Sequence, residues 1–331
     1  MENVKQTRRS FIGKITSAAV MASLPGIRAN AADINRSPDP QVTEKNFTIC
    51  AFSKIFDQLG EDMFSFLAEI GFEGIDLTVR PGGYVLPENV EKELPKVVNT
   101  AIKKGLSVPM ISTAIEEVSE TNTRKILKTA AECGVKYYRP NWFRYDNSLG
   151  IDRNLDFFRK RLMNLCELNA KYGLKATYQN HYVFNNHLGG IFGSPIWDLW
   201  TVIKDMDPRY MGCQYDIHHA VAEGFTSWQI GLKAIKPHIG TLSVKDFILD
   251  KKDGKWVVKT VPMGTGVVDF DAFFKIIGDE KIVCPLSVFF EFPVLDKTDW
   301  ALSINDKIRK MYPIVKNELD TLKSFMKYSN R

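Results

Sequence analysis

The segment LKATYQNHYV (residues 174–183) indicates most directly how this chain folds. Its first half is apolar on both faces, which is typical of a strand buried under helices. Gln179, Asn180 and His181 follow where that strand should end. The preceding segment, LDFFRKRLMNLCELNAKYG (155–173), has a helical pattern and closes with Gly173, a usual stop signal. Together they predict a helix, a buried strand and a polar cluster at the carboxyl end of that strand.

Short apolar runs of this kind alternate with amphipathic ones along the whole chain. Eight of them are predicted as strands: FTICAF (47–52), GIDLTV (74–79), SVPMIST (107–113), KYYRP (136–140), KATYQN (175–180), MGCQYD (211–216), GTLSVKD (240–246) and LSVFFEF (286–292). Eight alternations predict an α/β fold, a (β/α)8 TIM barrel that forms a single domain over residues 46–331. An open doubly wound sheet is the alternative, and the count of eight favours closure. An Asp-Gly turn within residues 250–264 predicts an inserted hairpin.

The amino-terminal residues 1–31 differ from the rest of the chain. Arg8 and Arg9 precede a short apolar run and the small-residue sequence ANA, which ends at Ala31. This order resembles a twin-arginine export signal, and the run is too short for a permanent membrane anchor. We therefore expect cleavage after Ala31, a flexible lead-in over residues 32–45 and a periplasmic protein. An ordinary secretory signal with two chance arginines is the alternative.

Composition and charge are those of an ordinary globular protein. The chain has 331 residues, of which 44% are hydrophobic and 25% are charged. Its net charge of +5 comes mostly from the predicted signal, since the remaining chain has 39 basic and 38 acidic residues. Nucleic-acid binding normally requires a concentrated basic face, so we expect no nucleic-acid partner. The sequence leaves open whether the protein forms a homo-oligomer.

Polar residues are concentrated at the carboxyl ends of the predicted strands, where TIM barrels carry their active sites. They are Asp76, Arg80, Asn141, Gln179, His181, Asp216, His218, His219, Lys245, Asp246 and Glu291. The amino-terminal ends of the predicted strands carry fewer such residues. This asymmetry is the main functional signal of the sequence.

Three of these strand ends suggest specific chemistry. In QYDIHHA (214–220), Asp216 and His219 could reach one metal ion or one metal-bound substrate, or Asp216 could cap the next helix. In LSVKDF (242–247), Lys245 could polarise a carbonyl, or it could pair with Asp246 to lock the loop. In LSVFFEFP (286–293), Glu291 lies among phenylalanines, and desolvation could tune it as a base. A solvated position at the barrel rim is the alternative for Glu291.

The motifs YDIHH, SVKDF and FFEFP, in this order on consecutive strands, resemble the xylose-isomerase-like barrel family of sugar isomerases and epimerases. DLTVRPGGY (76–84) and GTGVVDF (264–270) are similar to that family too. The resemblance implies a divalent ion held by a Glu, an Asp, a His and a second Glu on strands five to eight. Asp216 and Glu291 match two of these positions, and His219 matches a histidine that contacts substrate. Gln179 and Ser243 stand where the family has the first Glu and the His.

From this resemblance we expect Mn²⁺, Zn²⁺ or Mg²⁺ in the site. The expected metal ligands are Asp216, Glu291, His181 and Gln179. The expected catalytic residues are Glu291, His181 and Lys245, and the expected substrate-binding residues are Arg80, Asn141, Gln179 and His219. The implied function is a periplasmic, metal-dependent isomerase or epimerase, or a related lyase or hydratase, that acts on a non-phosphorylated sugar or keto-sugar through an enediolate. A non-catalytic carbohydrate-binding protein on the same scaffold is the alternative.

Overall fold

The computed structural model of the protein describes residues 47–183 and 190–327. The predicted signal peptide and lead-in lie outside the described residues. The strands, in chain order, are β1 (Ile49–Phe52), β2 (Gly74–Val79), β3 (Ser107–Thr113), β4 (Tyr137–Arg139), β5 (Lys175–Gln179), β6 (Met211–Asp216), β7 (Ile239–Val244), β8 (Asp246–Lys252), β9 (Lys255–Val261) and β10 (Leu286–Val288). β1 to β7 and β10 close into a parallel barrel in that order, with β10 beside β1. The predicted TIM barrel is confirmed, and the open-sheet alternative is excluded.

Helices connect the barrel strands and cover the sheet. They are α1 (Asp62–Ile70), α2 (Val90–Lys103), α3 (Thr123–Glu132), α4 (Ile151–Tyr172), α5 (Ile196–Ile203), α6 (Ile217–Gly224), α7 (Trp228–Ile235), α8 (Phe270–Asp279) and α9 (Ile304–Met326). α4 buries Phe158, Leu162 and Leu165, the spacing of one apolar helix face. Within the described residues, no helix combines the length and the apolar character that a membrane crossing requires.

The strand register brings the polar ends of β5, β6, β7 and β10 to one rim of the barrel. Asp216 of β6 pairs with Ser243 of β7, and Ser243 in turn pairs with Ser287 of β10. Gln179 ends β5 beside Gln214 of β6. Because these parallel strands end at the same rim, residues far apart in sequence meet there.

The predicted hairpin is confirmed. β8 and β9 pair antiparallel over their whole length. They turn at Asp253 and Gly254, whose φ angles are 51° and 75°. Both residues adopt the left-handed backbone conformation that a two-residue hairpin turn requires. Asp and Gly tolerate this conformation, so an Asp-Gly pair in the sequence predicts the turn.

Asp246, fully buried at the start of β8, fixes the loop that follows the hairpin. Its carboxylate accepts backbone N–H groups of Phe247, Gly264, Gly266 and Val268 at 2.8, 3.0, 2.8 and 3.1 Å. A Cβ atom on Gly266 would lie 2.2 Å from Asp246 Oδ1, so glycine is needed for this approach. The loop is thus locked by backbone hydrogen bonds rather than by a lysine–aspartate pair.

Glu318 of α9 is buried against the same region and makes stability depend on pH. Only 3% of the residue is exposed, and its carboxylate accepts the N–H of Met263 at 2.9 Å. Burial, only partly offset by this hydrogen bond, raises the pKa of Glu318 to about 7, against about 4.3 for a free glutamate. Between these two values the folded chain holds a proton that the unfolded chain has lost, so stability falls as the pH rises.

We expect Glu318→Gln to remove the part of the stability loss at high pH that is due to Glu318. Between about pH 5 and pH 8, the wild type should lose on the order of 2 kcal/mol more unfolding free energy than the variant. Urea unfolding at the two pH values measures the difference. Glu132→Gln, in an exposed ion pair with Lys128, is the matched control and should follow the wild type. Parallel pH profiles for Glu318→Gln and the wild type would contradict the prediction.

Candidate active site

Asp216 is held rigidly at the junction of β6 and α6. Its Oδ1 accepts the N–H of His219 at 3.1 Å and so caps α6. Its backbone is clamped by Asn180, whose amide donates to Asp216 O at 3.0 Å and accepts from Asp216 N at 2.8 Å. The residue is fully buried, and this burial raises the pKa of its carboxyl. The helix-capping role that the sequence suggested for Asp216 is therefore confirmed. Asp216 caps α6 and also lies inside the polar cluster.

Lys245, just beyond β7, lies at the centre of the polar cluster. Its Nζ is 2.6 Å from Glu291 Oε2, 3.0 Å from His219 Nε2 and 3.6 Å from Asp216 Oδ2. The side chain is only 2% exposed. Burial by itself would lower the pKa of Lys245, but the carboxylates of Asp216 and Glu291 raise it above the usual value. The group is therefore a buried ammonium paired with two carboxylates.

Glu291 is the carboxylate of this cluster that reaches the mouth of the barrel. β10 ends at Val288, so the strand predicted over residues 286–292 is four residues too long, and Glu291 lies three residues beyond its end. Its side chain is 35% exposed, whereas that of Asp216 is not exposed at all. Burial opposes its ionisation, yet the ammonium of Lys245 lowers the pKa of Glu291 to about 2. Glu291 is ion-paired rather than simply solvated at the rim.

Aromatic rings stack beside this ion pair. The ring centroids of His181 and His219 are 4.0 Å apart, and Tyr182 stacks on both at 5.5 and 5.1 Å. Burial, and next the charge of Lys245, lower the pKa of His181 to about 4. The same two causes hold the pKa values of His218 and His219 well below normal. At neutral pH all three histidines are therefore uncharged.

The contacts of the histidines define where their hydrogens lie. Because the ammonium of Lys245 donates to His219 Nε2, the neutral ring of His219 carries its hydrogen on Nδ1. That Nδ1 lies 3.2 Å from His218 Nδ1, to which it donates. His218 then carries its own hydrogen on Nε2, which is buried without a hydrogen-bond partner among the described residues. Both rings are thus committed to a chain of hydrogen bonds that begins at Lys245.

The side-chain amide of Gln179 is directed at the carboxylate of Asp216. Its Nε2 donates to Asp216 Oδ2 at 2.8 Å and lies 3.4 Å from Ser243 Oγ. Only 2% of Gln179 is exposed. The two residues that replace family ligands therefore contact each other, and Gln179 acts as a hydrogen-bond donor to the carboxylate.

Two residues predicted to bind substrate, Asn141 and Arg80, contact groups other than Lys245 and its partners. Asn141 donates from Nδ2 to Glu116 Oε1 at 2.8 Å, and Glu116 is 3.3 Å from Arg161. The structure therefore places the side chain of Asn141 in a separate polar group. Arg80, partly exposed, lies with its guanidinium 5.7 Å from the ring centroid of Phe52.

Arg139, at the end of β4, is a buried charged residue that was not predicted to belong to the site. Only 3% of it is exposed, and its guanidinium stacks 4.4 Å from the ring centroid of Trp142. Trp142 in turn contacts His181, with centroids 4.8 Å apart. Arg139 Nη1 is buried without a hydrogen-bond partner in the described part of the chain. An arginine inside the apolar segment KYYRP is the signal that could have identified it, because a buried charge is costly without a partner.

The donor atoms can be compared with the needs of a divalent ion. Asp216, His218 and His219 offer ligand atoms within 4.8 Å of one another, the spacing of a candidate metal site. However, Lys245 occupies His219 Nε2, and both oxygens of Asp216 accept N–H groups. Of the other expected ligands, Gln179 turns its amide N–H to Asp216, and His181 Nδ1 is 2.8 Å from the carbonyl of Tyr182. The ammonium of Lys245 lies 2.6–3.6 Å from Glu291 Oε2, His219 Nε2 and Asp216 Oδ2, so these three atoms do not fit a divalent ion while Lys245 holds its position.

A closed eight-stranded parallel barrel with its polar cluster at the carboxyl ends of the strands defines a TIM-barrel protein with a candidate active site at the usual end. A model of the xylose isomerase-like TIM barrel family matches residues 64–304. The chain therefore belongs to this family. No curated protein sequence matches the chain significantly.

Solved structures of two sugar epimerases and of a dehydratase have the same fold. An L-ribulose 3-epimerase is 12% identical, with 86% of this chain and 96% of that one covered and a TM-score of 0.63. A 3-keto-D-glucoside 4-epimerase from E. coli is 16% identical, with coverages of 84% and 99% and a TM-score of 0.59. A probable 3-DHS dehydratase involved in petrobactin synthesis, from Bacillus anthracis, is 15% identical, with coverages of 82% and 99% and a TM-score of 0.59. At these identities the likeness establishes the fold.

Proposed function

We propose that the protein is a sugar isomerase, epimerase or lyase that removes a proton from the carbon next to the carbonyl of a non-phosphorylated keto-sugar. The observation that carries this proposal is the pair formed by Glu291 Oε2 and Lys245 Nζ, 2.6 Å apart at the mouth of the barrel. It places a carboxylate base beside an ammonium, the two groups that enolisation of a ketone requires. The epimerases and the dehydratase among the similar folds support the same reaction class.

The reaction begins when a carbonyl oxygen of the substrate accepts a hydrogen bond from Lys245. Glu291 takes the proton of the adjacent carbon, the C–H electron pair forms a carbon–carbon double bond, and the oxygen gains the negative charge. The ammonium of Lys245 stabilises that charge. As Lys245 turns from Glu291 to the substrate oxygen, the pKa of Glu291 rises from about 2, which makes it a stronger base when it is needed.

The fate of the enediolate depends on the groups that can return a proton. Gln179 carries no titratable proton, so an epimerisation with one carboxylate on each face of the substrate lacks its second carboxylate. Isomerisation needs Glu291 to return the proton to the neighbouring carbon while the hydroxyl proton passes between the two substrate oxygens. Elimination instead expels a group from the next carbon, and the proton held by Glu291 can leave with it as water if that group is a hydroxyl. These one-base outcomes are favoured. His181, which is uncharged and has its ring centroid 4.0 Å from that of His219, is a second acid–base group of the cluster.

We further propose that the protein works in the periplasm, as the paired Arg8 and Arg9 and the cleavage sequence before residue 32 suggest. Phosphorylated sugars are metabolites of the cytoplasm, so an exported enzyme is expected to take a free sugar or a glycoside. Mass spectrometry of the protein from a periplasmic extract tests this location. A chain that begins at residue 32 is expected, and an intact amino terminus in the cytoplasmic fraction would contradict it.

A second candidate is a carbohydrate-binding protein without catalysis. Gln179 and Ser243 at two family ligand positions favour it, as does the aromatic surface of Trp142 and Tyr182 on which a sugar ring could stack.

Deuterium uptake separates the two functions. Keto-sugars incubated with the protein in heavy water should exchange the hydrogen next to the carbonyl, as followed by NMR. Binding of a sugar, seen by calorimetry, without exchange in any keto-sugar would reject the enzyme and support the binding protein.

A further inference from the structure

The two carboxylates at family metal positions converge on a cation that the chain itself supplies. Asp216 Oδ2 and Glu291 Oε2 lie 3.6 and 2.6 Å from Lys245 Nζ, and His219 Nε2 lies 3.0 Å from it. The other two family positions hold Gln179 and Ser243, which contact each other at 3.4 Å. Of the four family ligand positions, two therefore contact the ammonium and two hold other residues.

We propose that the ammonium of Lys245 takes the place of the divalent ion, so that this member of the family polarises the substrate carbonyl without a metal. That Lys245 polarises a substrate carbonyl rests on the proposed function. That it takes the place of the ion rests on the geometry of the cluster alone.

The charges of the site support this replacement. Gln179, where the family pattern has a carboxylate, is a neutral amide, so the cluster has one negative charge fewer than that pattern implies. The two remaining carboxylates, Asp216 and Glu291, are paired with the ammonium of Lys245 at 3.6 and 2.6 Å. The ammonium offsets one of these two charges, so less negative charge is left for a divalent ion to neutralise.

Hydrogen bonds already engage the ligand atoms of Asp216 and His219. Asp216 accepts N–H groups from His219 and Gln179, one on each carboxylate oxygen. His219 accepts from Lys245 on Nε2, and its other ring nitrogen bonds to His218. A divalent ion between Asp216, Glu291 and His219 would lie where the ammonium of Lys245 lies, and the repulsion between the two cations opposes its binding.

Metal binding, measured without any substrate, tests the proposal. The mature protein, Lys245→Met and Lys175→Met are stripped with a chelator and titrated with Zn²⁺ and Mn²⁺ by calorimetry, with metal content read by mass spectrometry. Lys175 is the matched control, because it is a second lysine of the barrel whose ammonium donates inside it, to Ile239 O at 3.2 Å. Circular dichroism verifies that each variant is folded.

We expect the wild type and Lys175→Met to hold far less than one equivalent of metal. Lys245→Met should bind an ion at least tenfold more tightly, since removal of the ammonium frees two carboxylates and His219 for coordination. Adding Gln179→Glu and Ser243→His to Lys245→Met supplies the two family ligands and should tighten binding further.

Two results would overturn the proposal: tight, near-stoichiometric metal in the wild type, or a folded Lys245→Met that binds no more metal than the wild type. If Lys245→Met does not fold, the metal content of the wild type by itself decides whether the proposal holds. Neither measurement involves a sugar, so a failure here is distinct from a failure to find deuterium exchange.

Discussion

Glu291→Gln is expected to slow deuterium exchange by about 10²–10⁴-fold, the usual contribution of a general base, on any keto-sugar that the wild type turns over. Gln keeps the shape of the side chain and can still accept a hydrogen bond from Lys245, but it cannot take a proton. The loss should appear in the rate at saturating substrate, with a much smaller change in substrate binding. NMR exchange rates and calorimetric affinities measure the two effects separately.

The control for this variant is Glu280→Gln. Glu280 forms the same kind of pair with Lys236, also at 2.6 Å, but on the outside of the barrel. Its replacement should leave exchange unchanged, because the pair lies away from the site. If Glu291→Gln retained the wild-type rate, Glu291 would not be the base, and His181 would become the leading candidate.

Asp246→Ala is expected to lower the free energy of unfolding by about 3–5 kcal/mol. The carboxylate is fully buried and accepts four backbone N–H groups. Its removal would leave these donors to find water in a loop that packs against the barrel. Urea unfolding followed by circular dichroism measures the loss.

Asp250→Ala is the matched change in the same hairpin. Asp250 has a side chain that is 48% exposed and lies 3.9 Å from Lys259, a separation at which an exposed pair contributes little. It should change stability by less than about 0.5 kcal/mol. Equal effects of the two substitutions would contradict the anchoring role of Asp246.

The barrel was predictable because its signals are local. Strands buried on both faces, such as GIDLTV and MGCQYD, are confirmed residue for residue as β2 and β6. The Asp-Gly turn predicted the hairpin because few other residue pairs adopt its two positive φ angles. Strand ends were predicted less well: β1 and β4 are shorter than predicted, and β7 ends at Val244, before Lys245 and Asp246. The largest error is β10, which stops at Val288, and the phenylalanines that extend the apolar run pack beyond it.

The site was predictable in its location and less so in its contacts. That strand ends meet at one rim follows from the fold, so Asp216, Lys245 and Glu291 could be expected near one another. That the ammonium of Lys245 lies between the two carboxylates depends on loop conformations and side-chain directions, which no local pattern encodes. Asn141 shows the same limit, since its partner Glu116 lies on a different loop.

The most direct test of the central claim is deuterium exchange by metal-stripped protein in the presence of a chelator. A keto-sugar in heavy water is followed by NMR with untreated protein, stripped protein, and stripped protein supplied with Mn²⁺ or Zn²⁺. If Lys245 supplies the cation, all three samples exchange the hydrogen next to the carbonyl at the same rate. Exchange that disappears on stripping and returns only with the added ion would contradict the account.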